Sequence, residues 1–561
     1  MILFPFRYLW WLVSSIRRYI GGPPEFVIFV LESSLPTLPD PPRPWWQRFT
    51  SRPRLSVREL GTRFDAIARD SRIKGVVLHL RPVAMPMATL QDLRELVGKL
   101  RKSGKQVIAW APFYTTGTYY LACACDEILL MPVGTVQPLG GSSTGMFLAD
   151  GLARFGIKAD FVQISPYKSA ADVLTKSKMS HELREQVTWL LDSQRDELLR
   201  AIAESRRLDA KGAQQLLDNS PYTDDAAVEN HVVDRVLPEE QLAEHLGRGG
   251  ARAPGIGAWE RASAKLPRPA PRLRRGKYVA LLRIEGTIVD GRSGRLPARP
   301  PFDIPLVGDD RAGDLTVVQA ARQVASDKRA AAVVLFVNSR GGSATASEAM
   351  RQALDVVAAR KPLVVAMGPV AASGGYWVAT PGRWIVARPG TITGSIGVLS
   401  GKVITEGVWS KLHVNRETIS FGKHATLEED SSPYTDEERS IVKGQIDRIY
   451  GVFLEVVGRA RGMSVDEVDP IAAGRVWTGK QAFERRLVDE LGGLEAAVAK
   501  ARSLGGLKDD AALREVRAPK RLVPPATAGA AGFVAFLLEG AELVGRAPAL
   551  AVMDYVPAEL T

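Results

Sequence analysis

Cysteine and histidine are scarce in this sequence, and their scarcity excludes several kinds of site. Of 561 residues, two are cysteine and six are histidine. Two cysteines provide neither a four-cysteine zinc site nor a disulfide framework, and no H-E-x-x-H metal motif occurs. We therefore expect no metal ion and no cofactor. Cys123 and Cys125 stand one residue apart, and we expect both to be small buried side chains.

Long apolar runs are also missing. A membrane-spanning helix needs about 20 apolar residues, whereas the N-terminal segment MILFPFRYLWWLVSSIRRYI is interrupted by Arg7 and closed by Arg18. It also lacks the basic n-region and the cleavage site of a signal peptide. On a helix, Ser14 and Arg18 would lie within roughly 20° of Arg7, with Trp10 on the remaining surface. This pattern indicates a helix in the membrane interface. The alternative is a terminal helix that covers a hydrophobic core or an oligomer contact.

Charge of one sign is in modest excess. Lysine and arginine number 74 against 62 aspartate and glutamate, a net charge of +12, which suits nucleic acid or an anionic membrane surface. The most basic stretch, KLPRPAPRLRRGK, lies at the end of a Pro/Arg-rich segment and carries no interleaved aromatic residues. We therefore expect a solvated linker there and no nucleic-acid partner.

The long loop at residues 290–314 is typical of a lid or binding loop.

The sequence repeats itself. The stretch that starts at Ser165 aligns with the stretch that starts at Ser420, an offset of 255 residues (420 − 165), and this pairs Lys168 with Lys423. A fixed period of this kind indicates tandem copies of one domain. The chain is thereby divided into an N-terminal amphipathic segment with a Pro-rich linker (1–49), a first repeat (50–250), a Pro/Arg-rich linker (251–276), a second repeat (277–505) and a C-terminal tail (506–561).

Each copy alternates short apolar strands with helical patterns. In the second copy, AAVVLFVNS and PLVVAMG are typical of buried strands, and SATASEAMRQALDVVAAR between them is typical of a helix. Alternating strands and helices predict an α/β fold with mostly parallel sheets.

Two glycine pairs follow neighbouring predicted strands. Ser373 stands in GPVAASGGYWVAT, where a strand meets a helix, and is followed by Gly374 and Gly375. Gly341 and Gly342 follow the preceding strand in NSRGGSATASE. Backbone N–H groups from the two loops that face one point would form an oxyanion hole beside a serine nucleophile. The alternative is that both glycine pairs only serve tight turns.

A serine nucleophile needs a base, and none of the six histidines stands at a triad-like position. The remaining candidate is Lys168 in YKSA, which follows an apolar strand. Burial would lower the pKa of its amine and leave it neutral. Taken alone, Lys168 is one of 74 basic residues, and a surface position is the ordinary expectation.

The motif YKSA stands in the first repeat, and the motifs NSRGGSATASE, AASGGYWVAT, RPGTITGSIGV and GRVWTGKQAF follow in that order in the second. The sequence thereby resembles the signal peptide peptidase A (protease IV) family in its long, double-repeat form. The resemblance implies a Clp protease/crotonase-like fold, built from ββα units in a spiral. It also implies a serine endopeptidase that hydrolyses short apolar peptides, such as cleaved signal peptides, without a metal or cofactor.

The resemblance assigns roles residue by residue. Ser373 would be the nucleophile and Lys168 the general base. The N–H groups of Gly342 and Gly374 would form the oxyanion hole. The substrate-binding residues would be Gly341 and Ser343. It further implies a homo-oligomer, a tetramer-like ring or dome. We expect a bacterial protein at the membrane, held peripherally through the N-terminus, or alternatively a cytoplasmic one.

The chain departs from the family pattern at two places. Arg340 replaces the proline of the usual N-S-P-G-G loop, which adds a charge beside the cleft. In the first repeat RPVAM replaces the glycine loop and Thr116 replaces the serine, so we expect no second site from Thr116 and Lys423. Two other functions stay open: a crotonase-like acyl-CoA enzyme, and a non-catalytic scaffold on a membrane surface.

Overall fold

The computed structural model describes residues 4–19, 21–40, 54–247, 253–267, 276–294, 310–518 and 550–552. Most of the predicted loop at 290–314 lies outside these residues. Contacts divide the chain into two compact units. The first contains Met1–Ser142, Leu191–Arg275 and Ala558–Thr561, and the second contains Ser143–Leu190 and Gly276–Pro557.

The strands and helices alternate along the chain, as the patterns predict. The strands are β1 Phe26–Leu31, β2 Gly75–Leu80, β3 Gln106–Thr115, β4 Glu127–Gln137, β5 Lys158–Gln163, β6 Tyr222–Thr223, β7 Arg235–Val236, β8 Ile256–Ala258, β9 Tyr278–Glu285, β10 Thr287–Val289, β11 Arg311–Gly313, β12 Ala330–Ser339, β13 Gly341–Ser343, β14 Leu363–Ala372, β15 Trp384–Ala387, β16 Ile392–Gly394, β17 Leu399–Ile404, β18 Val476–Thr478, β19 Glu490–Leu491, β20 Leu513–Glu515 and β21 Leu550–Val552. The helices are α1 Phe4–Tyr19, α2 Val57–Ala68, α3 Met87–Lys102, α4 Thr116–Ala122, α5 Ala149–Arg154, α6 Asp172–Thr175, α7 His181–Arg206, α8 Ala210–Asp218, α9 Asp224–Glu229, α10 Leu242–Leu246, α11 Trp259–Ser263, α12 Asp314–Ser326, α13 Ala344–Ala358, α14 Gly374–Trp377, α15 Glu406–Lys411, α16 Asp436–Arg461, α17 Val465–Val468, α18 Gly479–Glu484 and α19 Leu494–Leu504.

The first unit is built on one sheet with the strand order β6-β4-β3-β2-β1-β8. Its central ladders β1–β2, β2–β3 and β3–β4 are parallel. Strand β1 lies ahead of residue 50, where the sequence repeats place the start of the first copy. Its run FVIFVL is mostly buried in the core of the first unit, and β2 and β8 pair with it on both edges, so the sheet extends into the predicted N-terminal segment.

The second unit repeats this arrangement. Its main sheet has the order β18-β16-β14-β12-β9-β20, and the ladders β9–β12 and β12–β14 are parallel. Strands β9, β12 and β14 thus correspond to β1, β2 and β3. The predicted tandem-repeat α/β fold with mostly parallel sheets is confirmed.

A smaller sheet in the second unit has the order β11-β10-β13-β21-β17-β5. Strand β5 comes from the first repeat by sequence, but it pairs antiparallel with β17 from Leu399↔Gln163 to Ile404↔Lys158. Trp189 stacks on Trp477 with ring centroids 4.8 Å apart and donates a hydrogen bond to the Val476 carbonyl. This ladder and this aromatic stack explain why residues 143–190 belong to the second unit.

Local sequence sets the ends of several helices. Helix α16 starts with a capping box between Thr435 and Glu438 and ends at Gly462 in the left-handed conformation.

Cys123 and Cys125 are buried at the end of α4. None of the helices that the structure describes is long and apolar enough to cross a membrane.

Candidate active site

Ser373 lies at a strained turn between β14 and α14. Its φ of +55° and ψ of −118° are unusual for a residue with a side chain, and such strain is typical of functional positions. The turn is fixed because the Ser373 N–H donates to the Gly394 carbonyl over 2.8 Å. Gly375 is required here, since an added Cβ would lie 2.5 Å from the Ser339 carbonyl oxygen. The serine is fully buried in this chain.

The second glycine loop, β13, packs against α14. Gly341 and Gly342 have φ of +103° and +153°, which L side chains rarely adopt. The Ser339 hydroxyl accepts from the Gly341 N–H and donates to the Gly286 carbonyl. The two predicted oxyanion loops are therefore neighbours, with Gly374 directly after the serine and Gly342 on β13 of the smaller sheet, which packs against α14.

Lys168 and Ser373 are in contact. The Nζ of Lys168 lies 2.7 Å from the Oγ of Ser373, and the lysine is 1% exposed. Burial lowers the pKa of the Lys168 amine well below its usual range, because desolvation disfavours the cation. Both residues lie in the second unit. The structure thus brings together the two side chains that motif reasoning proposed as a dyad.

Backbone packing holds Lys168 in place. Its N–H donates to the Ser165 carbonyl, and Gly474 lies directly against it. Gly474 has a φ of +81°, and an added Cβ there would stand 2.6–2.7 Å from the Lys168 backbone N, Cα and Cβ. Glycine at this position therefore lets the second repeat approach the YKSA turn closely.

Ser395 completes the polar surroundings of the amine, and sequence reasoning missed it. Its carbonyl oxygen lies 2.9 Å and its Oγ 3.0 Å from Lys168 Nζ. A neutral amine has two N–H donors and one lone pair, so it can donate twice to Ser395 and accept the Ser373 O–H proton. The motif RPGTITGSIGV contains Ser395, but the sequence alone does not show which group the Ser395 hydroxyl contacts.

A small cavity borders Lys168. Its walls include the amine-bearing Lys168, Ser395 and the apolar side chains of Leu183, Leu190 and Val476. It lies wholly within the second unit. The cavity offers a small apolar surface beside the Lys168 side chain.

The remaining predicted residues take other places. The Ser343 hydroxyl caps α13 by accepting from the Ala346 N–H, so only its backbone is available to a ligand. That backbone is already in use, because residues of β21 pair antiparallel with Gly341 and Ser343. Arg340, the replacement for proline, lies half-buried beside Gly341.

The mirror pair differs sharply from the dyad. Thr116 is buried and donates its hydroxyl to the Gly140 carbonyl. Lys423 is exposed and forms an ion pair with Glu437. Lys423 is thus a surface lysine in this chain.

The sequence matches peptidase family S49 twice, over residues 99–249 and 355–508. These matches cover more than half of the chain, and each includes parts of one sheet described above. The chain belongs to peptidase family S49 and is a serine protease.

Named relatives agree with this family. Protease 4 of Haemophilus influenzae is 30% identical over 80% of this chain and 72% of its own length. Protease 4 of Salmonella typhi is 31% identical over 79% of this chain and 71% of its own length. The chloroplastic serine protease SPPA of Arabidopsis thaliana is 28% identical over 85% of this chain and 70% of its own length.

The lowered pKa of Lys168 predicts the direction of a pH profile. The neutral amine is the form that can accept the Ser373 proton, so kcat/KM should rise about tenfold per pH unit below the folded-state pKa and then level off. Since burial lowers that pKa, the plateau should begin well below pH ~10.4, the usual value for lysine. A profile measured with a neutral peptide substrate checks this. A rise centred at the ordinary lysine pKa would contradict it.

Proposed function

We propose that this protein is a serine endopeptidase that works through a Ser373/Lys168 dyad. The observation that carries the proposal is the 2.7 Å separation between a hydroxyl on a strained turn and a fully buried amine. Burial, rather than a neighbouring charge, lowers the pKa of this amine. A neutral lysine in hydrogen-bond reach of a serine satisfies the geometric and the electrostatic requirement for a general base.

The reaction follows from the positions of these groups. Lys168 accepts the Ser373 proton while Oγ attacks a peptide carbonyl, and the N–H groups of Gly342 and Gly374 stabilise the oxyanion. Lys168 then donates the proton to the leaving amine, and a water molecule that is deprotonated by the same amine hydrolyses the acyl-enzyme. Ser395 orients the lone pair of the amine toward Ser373 and is a positioning residue.

Extended backbone is the substrate form that the site favours. Strand β21 lies between β13 and β17 and pairs antiparallel with both, so this gap has the width and hydrogen-bonding edges for one extended strand. A substrate peptide that displaces β21 would form a similar ladder with β13 and β17. Apolar side chains, Leu183, Leu190 and Val476, line the small cavity beside Lys168, so the surroundings of the dyad match an apolar substrate. Short apolar peptides, including cleaved signal peptides, combine both features.

A substrate comparison tests the proposal. Purified protein should hydrolyse an internally quenched apolar peptide, and Ser373→Ala should abolish this activity. A crotonase-like enzyme would instead act on an acyl-CoA thioester and would not need the serine hydroxyl. Turnover of acyl-CoA without any peptide cleavage, unaffected by Ser373→Ala, would overturn the proposal.

We further propose peripheral membrane contact through α1. This helix exposes a set of large apolar side chains, Leu9, Trp10, Leu12, Val13 and Ile16. Arg18 ties the helix to the first unit by donating to the carbonyls of Ser263 and Leu266. An exposed apolar face with tryptophan suits the headgroup region, and the net charge of +12 attracts anionic lipid. This combination of an apolar helix face and a positive net charge fits the surface of a bacterial membrane.

Two glutamates in α1 should abolish membrane binding. Trp10→Glu with Ile16→Glu places charge on the exposed apolar face, so the variant should no longer float with vesicles that contain phosphatidylglycerol, whereas the wild type should. Val356→Glu with Val465→Glu adds the same charge at other exposed positions and should still float. Equal flotation of all three proteins would contradict the assignment, and peptide turnover in solution should be unchanged throughout.

A further inference from the structure

A buried glutamine lies beside Lys168 but takes no part in the proposed proton transfers. Gln186 is on α7, within the second unit, and is 2% exposed. Its Nε2 donates to the Tyr167 carbonyl over 2.9 Å and lies 3.4 Å from the Ser169 Oγ. Its Oε1 accepts from the Val476 N–H over 2.9 Å. The carboxamide therefore joins two segments of the chain that are far apart in sequence.

The first of these segments carries the lysine. Tyr167 and Ser169 stand directly before and after Lys168 in the YKSA turn. Gln186 thus binds the backbone on one side of the lysine and contacts the side chain on the other. The amine stands at the end of a flexible four-carbon stem, so its position depends on how firmly the turn is held.

The second segment holds the hydroxyl groups that surround the amine. Val476 on β18 faces Gly394 on β16, and the Gly394 carbonyl accepts from the Ser373 N–H. The carbonyl of Arg475, the residue before Val476, accepts from the Ser395 N–H over 2.6 Å. Two short hydrogen-bonded paths therefore connect Val476 with both serines that contact the lysine amine.

Helix α7 binds both backbone polar groups of Val476. Gln186 accepts from its N–H, and Trp189, one turn further along the helix, donates to its carbonyl over 2.8 Å. Gln481 in turn donates to the Trp189 carbonyl over 3.1 Å. The helix, the YKSA turn and β18 are thereby fixed relative to one another within the second unit.

Only a carboxamide satisfies both backbone groups at this place. The Tyr167 carbonyl needs a donor and the Val476 N–H needs an acceptor, and Gln186 supplies both. An ionised glutamate could accept but not donate, and methionine, of similar size, would do neither well. The side chain is also neutral. It therefore leaves the pKa of the Lys168 amine lowered by burial, with no opposing charge.

The internal repeat contains a comparison. Helix α16 corresponds to α7 over its whole length at an offset of 255 (436 − 181; 461 − 206). At this offset Gln186 corresponds to Ile441 (186 + 255). The lysine of that half, Lys423, is exposed and forms an ion pair with Glu437. The glutamine therefore accompanies the buried lysine, and the half with the surface lysine lacks it.

We infer that Gln186 is a positioning residue that aligns the Lys168 amine with the Ser373 hydroxyl. Its carboxamide fastens the YKSA turn to β18, so that Nζ stays within hydrogen-bond reach of Oγ through both proton transfers. This role rests on the proposed Ser373/Lys168 dyad. Gln186 contacts neither reacting atom, so its loss should lower kcat and leave KM nearly unchanged.

Gln186→Met removes both hydrogen bonds at nearly constant volume. For an apolar peptide, kcat should fall about 10- to 10²-fold, since a displacement of about 1 Å at a reacting group has effects of this size. Gln194→Met is the matched control. Gln194 is also buried on α7, and its Oε1 accepts no hydrogen bond from the residues that the structure describes, so this variant should keep its activity. Equal losses in the two variants would contradict a specific role for Gln186.

Gln186→Glu separates positioning of the amine from simple filling of space. Its carboxylate would keep the contact with the Val476 N–H and would add a negative charge to the cavity that Lys168 also lines. A nearby anion stabilises the lysine cation, so the amine should lose its proton only at higher pH. The rise of kcat/KM with pH should therefore move upward by about one unit or more. An unchanged pH profile would overturn the inference.

Lys168→Ala distinguishes the two ways in which these experiments could fail. If Lys168→Ala keeps full activity, the dyad itself is wrong. If Lys168→Ala is inactive but Gln186→Met keeps its kcat within about threefold of the wild type, the dyad stands and the positioning role is wrong. Each variant is assayed below its own melting temperature, so that a loss of kcat reports on the site and not on unfolding.

Discussion

Ser373→Ala should lower kcat/KM for an apolar peptide by about 10³-fold or more, with little change in the free energy of unfolding. The hydroxyl is the proposed nucleophile, and removal of a nucleophile that acts together with its base costs at least this much in comparable serine hydrolases. Lys168→Ala should cost about 10²- to 10⁴-fold, the usual contribution of a general base. Lys168→Arg should be no better, because guanidinium remains protonated and cannot accept the Ser373 proton.

The internal repeat supplies matched controls. Thr116→Ala and Lys423→Ala make the same substitutions at the mirror positions. Thr116 donates to a backbone carbonyl, and Lys423 forms an exposed ion pair, so both variants should retain nearly full activity. Equal losses at the dyad and at its mirror would indicate general damage and contradict the assigned roles. Activity within about threefold of wild type in Lys168→Ala would do so as well, since a general base contributes more than this.

Gly342→Ala should lower kcat by about 10²- to 10³-fold, the cost of losing one oxyanion donor. The residue has a φ of +153°, and an added Cβ would collide with the Ile288 carbonyl. The loop must therefore shift, and the N–H of residue 342 shifts with it. The main sheet of the second unit does not contain β13, so far-UV circular dichroism should remain native.

Gly444→Ala provides the comparison for this substitution. Gly444 lies in the middle of α16, and an added Cβ there meets nothing within 4 Å. Alanine should therefore keep activity and stabilise the helix by roughly 0.5–1 kcal/mol. If Gly342→Ala keeps its kcat within about threefold of the wild type, the Gly342 N–H is not an oxyanion donor.

Much of the fold could be predicted from the sequence because two signals reinforce each other. Alternating apolar strands and helices predict an α/β fold, and the internal repeat predicts two related sheets. The boundaries were harder to predict. Residues 143–190 belong to the first repeat by alignment, yet they pack with the second unit through the β5–β17 ladder. Pairing between distant strands leaves no local trace in a sequence. The same reason hides β1, which joins the first sheet from beyond a Pro-rich stretch.

The candidate site likewise contains residues that the sequence could predict and residues that it could not. Ser373 and its glycines carry a local signal, since a strand-to-helix turn with two glycines is itself unusual. Lys168 does not, because nothing near YKSA indicates burial among 74 basic residues; family motifs alone pointed to it. Ser395 could not be predicted from local sequence at all. Its place beside the amine depends on a positive φ of +51° and a hydrogen bond from its N–H to the Arg475 carbonyl, and both are products of tertiary packing.

Mass spectrometry of the covalently labelled protein tests the central claim most directly. A fluorophosphonate probe should add one label per chain, peptide mapping should find it on Ser373, and the labelling rate should fall steeply in Lys168→Ala but not in Lys423→Ala. A label on a different residue would contradict the account. Labelling of Ser373 at the same rate without the Lys168 amine would equally contradict it.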